Sequence, residues 1–332
     1  MTRERAVVPE AEFRSYYGRP VIKPPIWHEP HMPTYLYLGG MSGVSSMMAV
    51  MARLTGRDRL AGTARVAAAA GAAFGAALLA AELGRPERFL NMLRIFKPTS
   101  PMSVGSWILA AQGGLSAAAL VGPLDGASPG GLPDVLPGVR TGGPDGPLAG
   151  VLRPLGDAAL LASGVTGPLT ATYTAVLVAD TAVPAWHEAY RELPFLFAGS
   201  AMAAAGAVSM LGTPRAHAGP ARAVAVLGAA METVAGEAME RRLGFLGEPY
   251  RTGRAGRLMR TARALTAGGG LLAVVAGRSR TLTALSGLAL TAGSLCTRFG
   301  ILEAGRASAA DPKYTVVPQR RRLDAARERQ DS

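Results

Sequence analysis

The sequence predicts an all-α integral membrane protein with eight transmembrane helices arranged as two packed four-helix groups, and three observations carry that prediction. Only 17% of the 332 residues are charged while 49% are hydrophobic, against about 25% charged in an ordinary soluble domain. The missing charge is concentrated: Met32–Ala52, Pro98–Leu124, Ala158–Ala179 and Leu193–Pro214 run for 21, 27, 22 and 22 residues without Asp, Glu, Lys or Arg. About 18 to 20 such residues span the hydrocarbon core of a bilayer. The net charge of +12 is spread as basic residues punctuating apolar segments, which reads as a topology signal rather than a nucleic-acid face.

The spans fall at residues 33–53, 64–82, 102–122, 157–181, 193–213, 220–239, 261–278 and 281–302. The second, sixth and seventh are rich in Ala and Gly and interrupted by charge. That composition suits helices packed against neighbours, because small residues let membrane helices approach closely. Residues 1–32 precede the first span and show no short apolar region close behind Met1, so a cleaved signal peptide is not expected. Residues 33–304 form the membrane domain, with a Gly-, Pro- and Asp-rich loop insertion at 125–153. Residues 305–332, with Arg320, Arg321, Arg322, Arg327 and Arg329, form a basic tail suited to membrane lipid of anionic type or to a partner. With eight crossings both termini share a face, and most of the Lys and Arg gather there. The positive-inside rule therefore places both termini in the cytoplasm and the chain in the cell membrane.

One cysteine, Cys296, permits no internal disulfide, no Cys-ligated iron–sulfur cluster and no zinc knuckle; it reads as a small buried apolar residue. The four histidines, His28, His31, His187 and His217, lie at or beyond helix ends, where they cannot serve as facing haem ligands. No bound metal, haem or iron–sulfur centre is expected of this chain.

Ionisable residues inside a membrane span are expensive and mark functional sites, so their sidedness carries the most information. His31 precedes the first span, Glu82 ends the second, and Asp180 ends the fourth with Tyr173 about two turns, roughly 10 Å, further in. Glu232, Glu237 and Glu240 lie late in the sixth span, and Arg298 and Glu303 late in the eighth. All fall on one side, whereas the other leaflet offers little beyond Asp157, Arg215 and His217. His, Tyr and carboxylates gathered in one leaflet suit a lipid-soluble substrate that gains or loses protons, and a quinone fits best. Its two-electron reduction needs donors at the carbonyls and a carboxylate route to water. The electrons then come from a partner subunit with redox centres.

Two stretches, Tyr17-Gly18-Arg19-Pro20-Val21-Ile22-Lys23-Pro24-Pro25-Ile26-Trp27 with Tyr35-Leu36-Tyr37-Leu38-Gly39-Gly40, and Leu83-Gly84-Arg85-Pro86-Glu87-Arg88-Phe89 running to Phe96-Lys97-Pro98-Thr99-Ser100-Pro101-Met102-Ser103-Val104-Gly105-Ser106-Trp107, resemble the polysulfide reductase membrane subunit family, also called NrfD. Tyr173-Thr174-Ala175, Val183-Pro184-Ala185-Trp186, Leu193-Pro194, Glu303-Ala304-Gly305-Arg306 and Ala310-Asp311-Pro312 extend the likeness over nearly the whole chain. The resemblance implies an eight-helix anchor that takes menaquinone or a similar quinone as substrate. It implies electron exchange with a four-cluster ferredoxin-like iron–sulfur subunit, itself wired to a molybdopterin catalytic subunit. It also implies a headgroup site at His31 or Thr34 and at Tyr173. The family's Asp before Leu-Gly-Arg-Pro is Glu82 here, which keeps the carboxylate.

Plainer roles stand beside these. His31 could be an interfacial residue, and Glu82 could pair with Arg85 rather than relay protons with Asp180. Ser103 and Ser106 could cap the third helix, and Trp107 could anchor it at the interface. Glu232 and Glu237 could line a water path or pair with Arg263 and Arg298, while Glu240 reads as salt-bridged. A secondary transporter or proton-conducting protein without redox chemistry is the alternative class. It would place its site at mid-depth between internal repeats, which this chain does not display. A passive anchor with a vestigial site is a third reading.

Overall fold

The computed structural model describes residues 20–83, 86–120 and 149–330. Among them every regular element is helical: α1 (His31–Leu54), α2 (Asp58–Glu82), α3 (Pro101–Ala118), α4 (Ala149–Ala179), α5 (Pro184–Glu188), α6 (Leu193–Gly212), α7 (Gly219–Leu243), α8 (Glu248–Arg251), α9 (Gly253–Val275), α10 (Arg280–Ala310) and α11 (Lys313–Gln330), with short 3-10 turns between some of them. Four are long and apolar enough to cross a membrane: Asp58–Glu82, Arg153–Ala179, Leu193–Gly212 and Arg280–Ala310. The remaining long helices carry more Ser, Tyr, Glu or Arg, which lowers their hydropathy.

Local sequence starts several helices. Ser100 accepts the Ser103 N–H and Pro101 occupies the first turn of α3, where a missing N–H costs nothing. Ser279 caps α10 by accepting from the Thr281 and Leu282 amides. Two expected boundaries move. α4 begins at Ala149, so its first turn occupies residues assigned to the loop insertion; 125–148 lie outside the described residues. The tail is also more ordered than its charge suggests: α10 runs on to Ala310, and α11 is a helix of 18 residues.

Helices α1, α2, α3 and α4 pack against one another, and α6, α7, α9 and α10 form a second set. α1 forms an antiparallel hairpin with α2 and lies along α4, which also holds α3; α6 pairs with α7 and α9 with α10, and α1 and α4 join the sets through α6. The α1–α4 crossing is backbone against backbone: a Cβ on Gly43 would stand 2.4 Å from the Gly167 carbonyl oxygen, and one on Gly167 would stand 2.4 Å from that of Gly43. Only glycine at both positions permits this approach.

Polar ties close both ends. At one end the Asp157 carboxylate of α4 accepts from Arg65 of α2 at 2.9 Å and from Arg53 of α1 at 3.3 Å. At the other, Trp27 stacks on Trp186 with centroids 5.2 Å apart, and Trp186 Nε1 donates to the Ile301 carbonyl at 2.7 Å. The segment before α1 is held by Arg306, which donates to the Trp27 carbonyl, and by Arg254, which meets Glu29 at 2.6 Å. Tyr250, outside the long helices, donates to the Ala185 carbonyl at 3.0 Å, and burial pushes its phenol well above the ordinary range.

Candidate functional site

Four helix segments converge at the end where α1 and α3 begin and α2 and α4 finish. The α1–α4 crossing at Gly43 and Gly167 sets the antiparallel register that brings Tyr35 of α1 against Tyr173 of α4. Their hydroxyls are hydrogen-bonded to each other. The Tyr173 ring lies directly on Gly105 of α3, where a Cβ would come within 2.5 Å of the ring carbon Cε2. A third helix thereby fixes the phenol without touching its hydroxyl.

One helical turn toward the α1 terminus, about 6 Å by helix geometry, is His31. The carboxylate at the end of α2 sits beside it. Glu82 Oε1 accepts from the His28 amide at 2.7 Å and lies 3.1 Å from His28 Nδ1, while Oε2 is 3.6 Å from His31 Nδ1. That second oxygen is buried and has no hydrogen-bond partner, although the His28 side chain beside it is largely exposed. The His28 and His31 side chains are 73% and 40% exposed and Glu82 between them 9%; Tyr35 is buried and Tyr173 half-buried. An unsatisfied carboxylate oxygen between imidazoles is suited to exchanging a proton with water on one side and with a guest on the other.

The expected residues divide among three places. His31, Glu82 and Tyr173 belong to this convergence, and Thr34 is half-buried on the same first turn of α1. Arg85 lies outside the described residues. Asp180 is exposed one residue past α4, seven residues along the chain from Tyr173. Glu237 pairs with Arg241 at 3.0 Å and Arg263 at 3.8 Å, and Glu240 with Arg263 at 2.5 Å. Glu232 is buried in the second helix set and accepts from Thr297 at 2.5 Å.

The serines of α3 do something other than cap it. The cap is Ser100, whereas Ser103 donates to the Ile95 carbonyl at 3.1 Å and accepts from the Lys97 amide at 3.0 Å. Ser106 donates to the Met92 carbonyl at 3.3 Å. They clamp the connection from α2 onto α3. Trp107 is exposed and meets Phe96 edge-on at 6.2 Å.

Sequence reasoning missed Tyr35, His28 and Gly105. Tyr35 carried one signal: it follows His31 by four residues and so shares its helix face.

An apolar cavity of about 230 Å³ lies between α2 and α3, lined by Ala72, Ala76, Leu79, Phe89, Ser106 and Leu109 among others. Leu79 and Leu109 pack in the same hydrophobic cluster as Tyr35, and the lining residue Ser106 follows Gly105, on which the Tyr173 ring lies. A larger apolar cavity of about 440 Å³ sits at the opposite end between the helix sets, against Met47, Met48, Met51 and Met202. It lacks the acid and phenol groups.

The family model for polysulphide reductase, NrfD, matches residues 20–218. The chain belongs to the NrfD family. The matched segment contains every member of the convergence, from His28 through Glu82 and Gly105 to Tyr173, and stops at the start of α7. NrfD membership makes the protein a membrane subunit of a quinone-linked oxidoreductase. No curated protein matches the chain. Among the described residues no group of three or more His, Cys, Asp and Glu could hold a metal ion.

Proposed function

We propose that this NrfD-family chain is the quinone-reactive membrane anchor of a redox complex, that its eight long helices all cross the bilayer, and that the quinone headgroup binds at the Tyr35–Tyr173 pair. The observation that carries the reading is the Glu82 carboxylate set between His28 and His31, one helical turn from the bonded phenols of buried Tyr35 and half-buried Tyr173. Phenols and imidazoles donate hydrogen bonds to carbonyl oxygens, and a carboxylate nearer the surface supplies or removes the protons that quinone reduction or quinol oxidation requires. The cavity between α2 and α3 is apolar, as an isoprenoid tail requires, and its lining residue Ser106 follows Gly105, on which the Tyr173 ring lies.

His31 and Tyr173 would bind the headgroup oxygens, with Thr34 on the same turn. Glu82 would carry protons outward, and Asp180 would continue that route at the surface. Electrons would pass to or from a four-cluster ferredoxin-like iron–sulfur subunit, with a molybdopterin subunit behind it, docked where the basic α11 and the segment before α1 meet. The basic connections lie on that face, which supports cytoplasmic termini.

The test is binding of a short-tailed menaquinone analogue to the purified chain, followed by tryptophan fluorescence, in the native protein and in Tyr173→Phe. Saturable binding that weakens about tenfold in the variant, the equivalent of one lost hydrogen bond, supports the site. Equal binding by both proteins contradicts it.

A further inference from the structure

The second helix set buries a polar cluster that the quinone reading does not use. Glu232 of α7 is 5% exposed, accepts from Thr297 of α10 at 2.5 Å and lies 3.5 Å from the Thr266 hydroxyl of α9. Ser200 of α6, bonded to Ser294 of α10 at 2.6 Å, faces the same carboxyl. The charged neighbour is Arg298 of α10, which is 1% exposed. Its guanidinium lies over the Phe197 ring at 3.6 Å and donates through Nη2 to the Phe197 carbonyl at 3.0 Å. Nε and Nη1 have no partner. A buried guanidinium with free donors beside a buried carboxyl is costly unless water or a mobile charge completes it.

Access to this cluster is one-sided. A cavity of about 20 Å³ touches Glu232 and Thr266 and is lined by Leu196, Gly236, Met259 and Arg263. That volume holds one water. Leu196 is in the first turn of α6, Gly236 lies beyond Glu232 toward the end of α7, and Met259 and Arg263 precede Thr266 on α9, so the cavity leads toward the His31 end of the molecule. At its outer side Arg263 is paired with Glu240 and Glu237.

In the other direction the helices close. A Cβ on Gly228 would stand 2.3 Å from the Ala203 nitrogen, one on Gly206 2.6 Å from the Ala225 nitrogen, and one on Gly270 2.7 Å from the Ala229 Cβ. Helices in such contact leave no room for a file of water between them.

We propose that Glu232 is a proton-binding site separate from the quinone pocket, loaded through the water-sized cavity past Arg263 from the His31 side and closed to the opposite side. Loading forms an O–H bond on one carboxyl oxygen as hydronium gives up its proton and becomes water, with no electron transferred. The change of charge is delivered to Arg298, which borders Gly40 of α1: a Cβ there would lie 3.6 Å from Nη2. Proton occupancy in the second set is thus sensed by the helix that carries Tyr35.

Infrared difference spectroscopy on the full-length protein without quinone tests this independently of the quinone reading. The expected result is a carboxylic-acid carbonyl band that appears on acidification, shifts in heavy water and is lost in Glu232→Gln. Absence of the band in the native protein, or its persistence in the variant, overturns the proposal. A second variant, Gly236→Leu, places bulk at the cavity lining where a Cβ meets only Leu196 at 3.5 Å. Slowed isotope exchange of the band is expected, and an unchanged rate overturns the route. In sealed liposomes of one orientation the band should follow the pH on the His31 side; following the other compartment overturns the sidedness.

Discussion

The Tyr35 and Tyr173 hydroxyls are bonded to each other although 138 residues separate them along the chain. Two glycine contacts hold them together: the Gly43–Gly167 contact sets the helix register, and Gly105 seats the Tyr173 ring.

Tyr35→Phe and Tyr173→Phe each remove one hydroxyl and keep the ring. Each should leave the fold intact, with a loss of about 1 kcal/mol typical of one hydrogen bond. Quinone-linked turnover in the assembled complex should fall about 100-fold, the lower range for a displaced proton-transfer group. Turnover assayed beside thermal melting separates the two effects, and unchanged turnover in Tyr173→Phe would favour a passive anchor.

Glu82→Gln retains an acceptor for the His28 amide but cannot carry a proton. Analogue binding should therefore stay near native while turnover drops about 100-fold. Parallel loss of binding and turnover would instead make Glu82 a structural brace.

Gly105→Ala inserts a methyl where the Tyr173 ring already lies. Displacing a packed aromatic costs about 1–3 kcal/mol, and turnover should fall with it. Gly113→Ala and Gly114→Ala on the same helix meet nothing within 4 Å, so they should be neutral or slightly stabilising by helix propensity. Melting temperatures of the three variants in one detergent check the contrast.

Asp157→Ala leaves Arg65, 6% exposed, without the carboxylate that balances its charge. Removing one partner of a buried pair costs about 3–5 kcal/mol, and the partial exposure of Asp157 lowers this toward about 2 kcal/mol. The loss should appear as a lower melting temperature with analogue binding unchanged, because the pair lies at the end away from the tyrosines.

The helices were legible because bilayer crossing imposes a long uncharged run that no other role demands, as in Leu193–Pro214. That His31, Glu82 and Tyr173 share one end of the helices was legible too, from where they fall along those runs. Partners were not. Tyr35 sits in an apolar run and reads as an ordinary interfacial aromatic until the fold brings α4 against it. Ser103 and Ser106 look like caps because capping is a local rule, whereas their bonds to Ile95, Lys97 and Met92 depend on how the preceding turn folds back. The environment of Glu232 is supplied by Thr266, Thr297 and Ser200 on three other helices, which no spacing within α7 could reveal. The basic tail hid a helix because high charge removes the apolar periodicity by which α11 would be read.

The most direct test of the quinone site is photolabelling with an azido-naphthoquinone in proteoliposomes, followed by peptide mapping. Label should fall on the first turns of α1 around His31 and Tyr35 and on α4 around Tyr173, and unlabelled quinone should compete it away. Label confined to the methionine-lined cavity at the opposite end, at Met47, Met51 or Met202, would contradict this placement.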